Sequence, residues 1–172
     1  MIPVPLFTSD DLDAANAAWG FNCGPSALAV IAGLKPEQLR PHLGDFERKG
    51  YTNPTLMFAA LRSLGLRYTL VRLVEGQVIW PRHGLARVQW SGPWCAPGVP
   101  YGARYRRTHW VACHHDPSFG TCIHDINAMH ERCNGWLDEY TWSAKLVPAL
   151  LRACEPKADG EFWVTHTIEV LG

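Results

Sequence analysis

The sequence predicts an α+β fold, and three observations carry that reading. Helical patterns dominate the first 65 residues. Short strand-like runs take over from Leu66. Two of those runs flank Asp116-Pro117-Ser118-Phe119-Gly120, a string of turn formers that marks an antiparallel hairpin.

The first clear helix is Gly24 to Ala32, which has Pro25 at an early helical position, Gly33 at its end, and apolar residues on most sides. A second begins at Asn53-Pro54, places Met57, Ala60, Leu61 and Leu64 on one face with Arg62 toward water, and stops at Gly65. Leu66 to Leu73 and Leu85 to Trp90 read as strands separated by a turn-rich stretch around Pro81. His109 to Cys113 and Thr121 to Asp125 form the hairpin. Asp138 to Ala153 is helical in composition, with Pro148 breaking or restarting it. Phe162 to Val170 alternates as a last strand, with His166 on the same side as Phe162, Val164, Ile168 and Val170.

The 172 residues, 47% hydrophobic and 19% charged, suit one domain, 1–172, with a mainly helical part, 1–65, and a mainly antiparallel sheet part, 66–172. Such a length buries about two-thirds of the unfolded chain's surface, enough to fold without disulfides or metal. Sixteen basic residues balance sixteen acidic ones, so no global field draws the chain to nucleic acid or an anionic membrane. No apolar run approaches the ~20 residues that cross a bilayer, and Met1 to Leu6 lacks the basic start of an export signal. A cytoplasmic location is therefore expected. There the six cysteines serve as thiols, ligands or a nucleophile rather than as disulfides.

One of them stands apart. Asn22-Cys23-Gly24-Pro25 places Cys23 at the N-terminal lip of an apolar helix, where unpaired N–H groups and the helix dipole favour a thiolate and can hold an oxyanion. A thiol nucleophile needs an imidazole, and the imidazole a third group to fix its tautomer. His109 opens one hairpin strand and Asp125 ends the other. Their midpoint, residue 117, is the centre of the turn, so the two are expected to face each other directly. A two-residue shift would give the orienting role to Asn127. His114 and His124 fall on the opposite face and His115 at the turn.

These residues resemble papain-like cysteine peptidases, and among them the bacterial group that processes double-glycine leader peptides. The likeness rests on Asn22-Cys23-Gly24-Pro25-Ser26-Ala27-Leu28, Leu61-Arg62-Ser63-Leu64-Gly65-Leu66, His109-Trp110-Val111 and the Asp125 strand. It covers residues 15 to 130 and implies an N-terminal helical lobe carrying Cys23 packed against a C-terminal antiparallel lobe carrying His109 and Asp125, with the active site between. The family's oxyanion-hole glutamine, six residues before the nucleophile, is replaced here by Ala17, which leaves Asn16 and Asn22 as candidate donors.

Trp94, Tyr101, Arg104, Tyr105, Arg106 and Arg107 crowd the approach to His109. Trp19, Trp94, Tyr105 and Trp110 are the substrate-binding candidates, and the arginines favour an acidic partner. Cys113-His114-His115, Cys122-x-His124 and His130-x-x-Cys133 offer zinc ligands, but their spacing fits no standard finger. The expected function is cysteine-dependent hydrolysis of an amide bond in a peptide or protein, without cofactor or metal. A glutamine deamidase, a transglutaminase-type acyl transferase and a non-catalytic peptide-binding module are the alternatives.

Overall fold

The structure, a computed structural model, describes residues 1–74 and 77–172, except for the side chain of Tyr101. Helices come first: α1 (Ser9–Trp19), α2 (Cys23–Ala32), the short α3 (Pro36–Leu39) and α4 (Phe46–Lys49), and α5 (Pro54–Ser63). Strands β1 (Arg67–Leu70) and β2 (His83–Trp90) follow, then a turn of helix, α6 (Tyr101–Arg104). Next come β3 (Thr108–Asp116), β4 (Gly120–His130) and β5 (Cys133–Asp138). The chain closes with α7 (Glu139–Thr141), a π-helical turn at Trp142–Leu146, α8 (Val147–Cys154) and β6 (Phe162–Leu171). The strands form one antiparallel sheet in the order β1-β6-β2-β3-β4-β5, so the fold is mixed helix and sheet of the α+β kind. No helix among the described residues is long and apolar enough to cross a membrane.

Each face of the sheet has its own core. Leu85, Trp110, Ala112, Ile168 and Val170 pack under α1, α2 and α5. Ala86, Val88, Val111, Cys113, Ile123 and Val164 pack under Trp142, Val147 and Leu151 of the late helical segment. Helix α2 has no solvent face, since Gly24 to Ile31 are all buried. Its ends are set locally by the Asn22 side chain, which caps Gly24 N–H, and by Gly33 in the left-handed region. Pro148 restarts the late helix: lacking an N–H, it cannot bond the carbonyl four residues back, and the turn before it widens to π geometry.

Two readings of the strands are corrected. In β6 the alternation breaks, because Arg87 pairs with His166 but Val88 with Val164, leaving Thr165 as an extra residue. The bulge puts Phe162 and Val164 on the late-helix side and Ile168 and Val170 on the other, so His166 does not share one apolar face with all four. In the hairpin, Ala112 pairs with His124 and Asp116 with Gly120, so the turn centres on Ser118 and the register lies two residues from the expected one.

His124 is a core residue. It is 1% exposed, packed between the Phe7 and Trp136 rings at 6.4 and 5.4 Å, and neither ring nitrogen has a hydrogen-bond partner. Burial pulls its pKa down to about 4, against the opposing pull of the Asp125 charge and nearby backbone. A histidine that stays neutral when folded but protonates when unfolded withdraws stability as pH falls from about 6.5 to 4, by about 3 kcal/mol in all. His124→Leu is expected to remove most of that slope at little cost at pH 7, as chemical unfolding at pH 7, 5.5 and 4 would register. A variant whose slope matches the parent's would refute the assignment.

Candidate active site

The loop after α4 wraps the start of α2 and fixes Cys23. Asn22 Nδ2 donates to the Gly50 carbonyl at 3.0 Å, and Trp110 Nε1 donates to the Thr52 carbonyl at 2.8 Å. Gly24 is required by this contact, since a Cβ there would lie 2.3 Å from Thr52 Oγ1. Cys23, the first residue of the helix, is left half-buried, with an N–H that has no intrahelical acceptor.

His109, on β3, is 7% exposed, with the Trp90 ring stacked at 5.9 Å. Its Nε2–H donates to Asp125 Oδ2 at 2.9 Å, which leaves Nδ1 as the nitrogen for Cys23. Continuing the hairpin register would set Asn127, not Asp125, opposite His109, and Asp125 reaches the imidazole diagonally on the same face. Asp125 is fully buried and accepts three further hydrogen bonds. Trp142 Nε1 donates to Oδ2 at 2.8 Å, and Asn127 donates to Oδ1 through its backbone N–H at 2.9 Å and its Nδ2 at 2.8 Å.

These contacts set the charges. Burial pushes the Asp125 carboxyl up, but the His109 charge and the donated hydrogen bonds outweigh it and hold the group well below the usual carboxylate range. Burial pushes His109 down, while the Asp125 charge, Cys23 and its hydrogen bonds to both raise it well above 6.5. Burial likewise pushes the Cys23 thiol up. The His109 charge and hydrogen bond, with a further bond from Trp110 N–H, reverse this and leave the thiol below its ordinary value, against some opposition from Asp125. Both shifts act in the direction of a thiolate–imidazolium pair.

The pair opens onto a cleft of about 380 Å³ lined by Asn16, Phe21, Asn22, Cys23, Trp90, His109, Ile126, Asn127 and, from α8 and its end, Leu150, Leu151, Cys154 and Glu155. A larger cavity, of about 880 Å³, lies between the N-terminal segment and the β4–β5 turn, and Cys23, His109 and Asp125 are not part of its wall.

The structure brings Cys23, His109 and Asp125 together and corrects several other assignments. Asn127 holds Asp125 rather than replacing it. Asn22 gives one Nδ2 hydrogen to Gly50 and accepts from Gly24 N–H through its oxygen, so it builds the helix start, and on the cleft wall it keeps a second Nδ2 hydrogen. Asn16 lines the cleft with one Nδ2 hydrogen bonded to the Phe21 carbonyl at 2.7 Å, leaving the second hydrogen to donate. Trp19 and Trp110 are core residues, not substrate contacts. Trp19 packs edge-on against Phe21 and Phe46 and donates to Glu37 at 2.9 Å, while Trp110 lies between sheet and helices.

Trp94 and Tyr105 also lie outside the cleft wall. Trp94 donates to the Trp90 carbonyl at 2.7 Å and carries the Arg107 guanidinium over its ring at 5.5 Å. The Tyr105 carbonyl accepts a hydrogen bond from Arg87, and the Tyr101 side chain lies outside the described residues. Arg107 pairs with Glu155 at 2.7 Å, which weakens the argument for an acidic partner. Among the described residues, no group of three or more His, Cys, Asp or Glu side chains is placed to hold a metal ion. The candidate zinc ligands are divided by the sheet, with Cys113 on one face and the directly paired Cys122 and His114 on the other, where His114 meets His83 at 3.2 Å.

Sequence reasoning missed Trp142, the α8 side of the cleft and Arg87. For Arg87 a signal existed: alternation in Leu85 to Trp90 puts an arginine on the face of Leu85 and Gln89. Comparison with protein-family models, with curated proteins and with solved structures gives no match to this chain.

Proposed function

We propose that this chain is a cysteine-dependent amide hydrolase with a papain-like arrangement, acting on a peptide or protein in the cytoplasm. One observation carries the reading: a thiol at a helix N-terminus couples to an imidazole whose far nitrogen is held by a buried, fully hydrogen-bonded carboxylate. On this reading the Cys23 thiolate attacks the substrate carbonyl carbon, and the oxygen's developing charge is met by Cys23 N–H and Asn16 Nδ2. His109 Nδ1–H then gives its proton to the leaving amine as the C–N bond breaks, producing a thioester. Water attacks the thioester while His109 takes its proton back, releasing the acid and restoring the thiolate.

The test is iodoacetamide labelling at pH 6, with the modified cysteines identified by peptide mapping. Cys23 is expected to label faster than the exposed Cys154, which serves as the internal reference. The Cys23 adduct should vanish in Cys23→Ala and form more slowly in His109→Ala. Equal rates at the two cysteines in the parent protein would overturn the reading. Incubation with a peptide library then separates the chemistries: new peptide termini support hydrolysis of the chain, whereas ammonia without new termini selects the deamidase alternative.

A further inference from the structure

Arg87, on β2 between Trp110 of β3 and His166 of β6, is 8% exposed. A guanidinium does not deprotonate in proteins, so burial obliges it to find partners. Its Nη2 donates to Thr108 Oγ1 at 3.1 Å and to the Tyr105 carbonyl at 3.4 Å, and its Nη1 donates to Thr165 Oγ1 at 3.3 Å. Nε has no partner, and among the described residues no carboxylate forms an ion pair with this side chain.

Two facts tie it to the cleft. The Tyr105–Thr108 segment it grips leads directly into His109, and the same segment is also held by Trp90, further along β2, whose N–H donates to the Arg107 carbonyl at 2.9 Å. The ionisable groups electrostatically coupled to the guanidinium are Cys23 on α2, Tyr105 before β3 and His166 on β6. Those whose charge acts most on Cys23 are His109 on β3 and Asp125 on β4, and Cys23 in turn acts on Arg87 of β2.

We propose that Arg87 is a positioning residue of this cleft: it pins the approach to His109 and supplies a buried positive charge that the Cys23 thiolate balances. Burial alone lowers Arg87 from its usual value, and Cys23 and Tyr105 are the groups that oppose this. The inference rests on the reading of Cys23 as nucleophile.

The experiment follows the rate of iodoacetamide alkylation at Cys23 against pH, by peptide mapping, in the parent protein, Arg87→Gln and Arg87→Lys. Arg87→Gln is expected to move the midpoint up by up to about one pH unit, which is up to about tenfold slower labelling on the acid side. Arg87→Lys keeps the charge and is expected to restore at least half of that shift. A glutamine profile that superimposes on the parent's, or a lysine variant displaced as far as the glutamine one, overturns the proposal. If Arg87→Gln does not fold, Thr108→Val decides: it removes one anchor and leaves the charge, so labelling should slow about two- to threefold at pH 6 and stay unchanged at pH 9. Parent rates at both pH values would then overturn it. A parent protein in which Cys23 labels no faster than Cys154 fails the proposed function itself, whatever Arg87 does.

Discussion

Asp125→Ala is expected to lower unfolding stability at pH 7 by about 3–5 kcal/mol and to reduce amide hydrolysis by about 10³-fold or more. The stability loss follows from what the carboxylate holds. His109 Nε2, Trp142 Nε1, and the backbone N–H and Nδ2 of Asn127 all donate to it, and alanine would leave these donors facing a void in buried surroundings. Because its folded pKa is depressed, Asp125 contributes its stability fully above the unfolded value of about 3.9, and the contribution is lost as pH falls toward the folded one. The gap between parent and variant should therefore narrow when unfolding is measured at pH 3. Asp125→Asn separates structure from chemistry. It keeps the volume and part of the hydrogen bonding, so stability should fall less, yet its amide can leave the imidazole in the wrong tautomer and cost about 10⁴ in rate. An Asp125→Asn protein with parental turnover would remove Asp125 from the mechanism.

What the sequence made legible was local chemistry. Cys23 could be found because Asn-Cys-Gly-Pro at the start of an apolar run is a helix start, and a helix start is where a thiol ionises readily. Asp125 could be placed on the face of His109 because strand parity survives a two-residue shift in register. The register itself could not be read. It depends on how many residues the turn uses, and Asp116 Oδ1 accepting from Ser118 N–H, with Gly120 left-handed at φ 73°, sets a three-residue connection that composition alone does not specify. The bulge at Thr165 was hidden for a related reason: the even-numbered apolar residues of β6 alternate without interruption in sequence, while the backbone changes which face they serve. Helix α1 had a readable signal in the Thr8–Asp11 capping box that composition-based reading passed over. Trp142 had none, since nothing in a tryptophan's neighbours announces that its indole N–H meets a carboxylate seventeen residues earlier.

The opposite shifts of Cys23 and His109 lead to the other large expected effect. Turnover of a peptide substrate should rise with pH as the coupled pair loses its first proton from the lowered thiol, and fall as it loses the second from the raised imidazolium. The acid limb should lie below the ordinary thiol range and the alkaline limb above the ordinary imidazole range. Alkylation by iodoacetamide needs only the thiolate, so it should show the acid limb without the alkaline fall. His109→Ala tests the coupling. With the imidazole gone, burial becomes the dominant influence on the thiol, so labelling at pH 6 should fall far more than labelling at pH 9, and the acid limb should move up. Turnover should drop by about 10²–10⁴-fold, because no group remains to protonate the leaving amine. The same pair has a stability signature of defined sign. His109, raised on folding, contributes fully below its unfolded value of about 6.5 and loses that contribution as pH rises through the folded value, so parent and His109→Ala proteins should converge in stability on the alkaline side. An alkylation profile in His109→Ala that keeps the parent's acid midpoint would mean that the thiol owes its ionisation to the helix and Arg87 alone, and the imidazole would lose its place as the base.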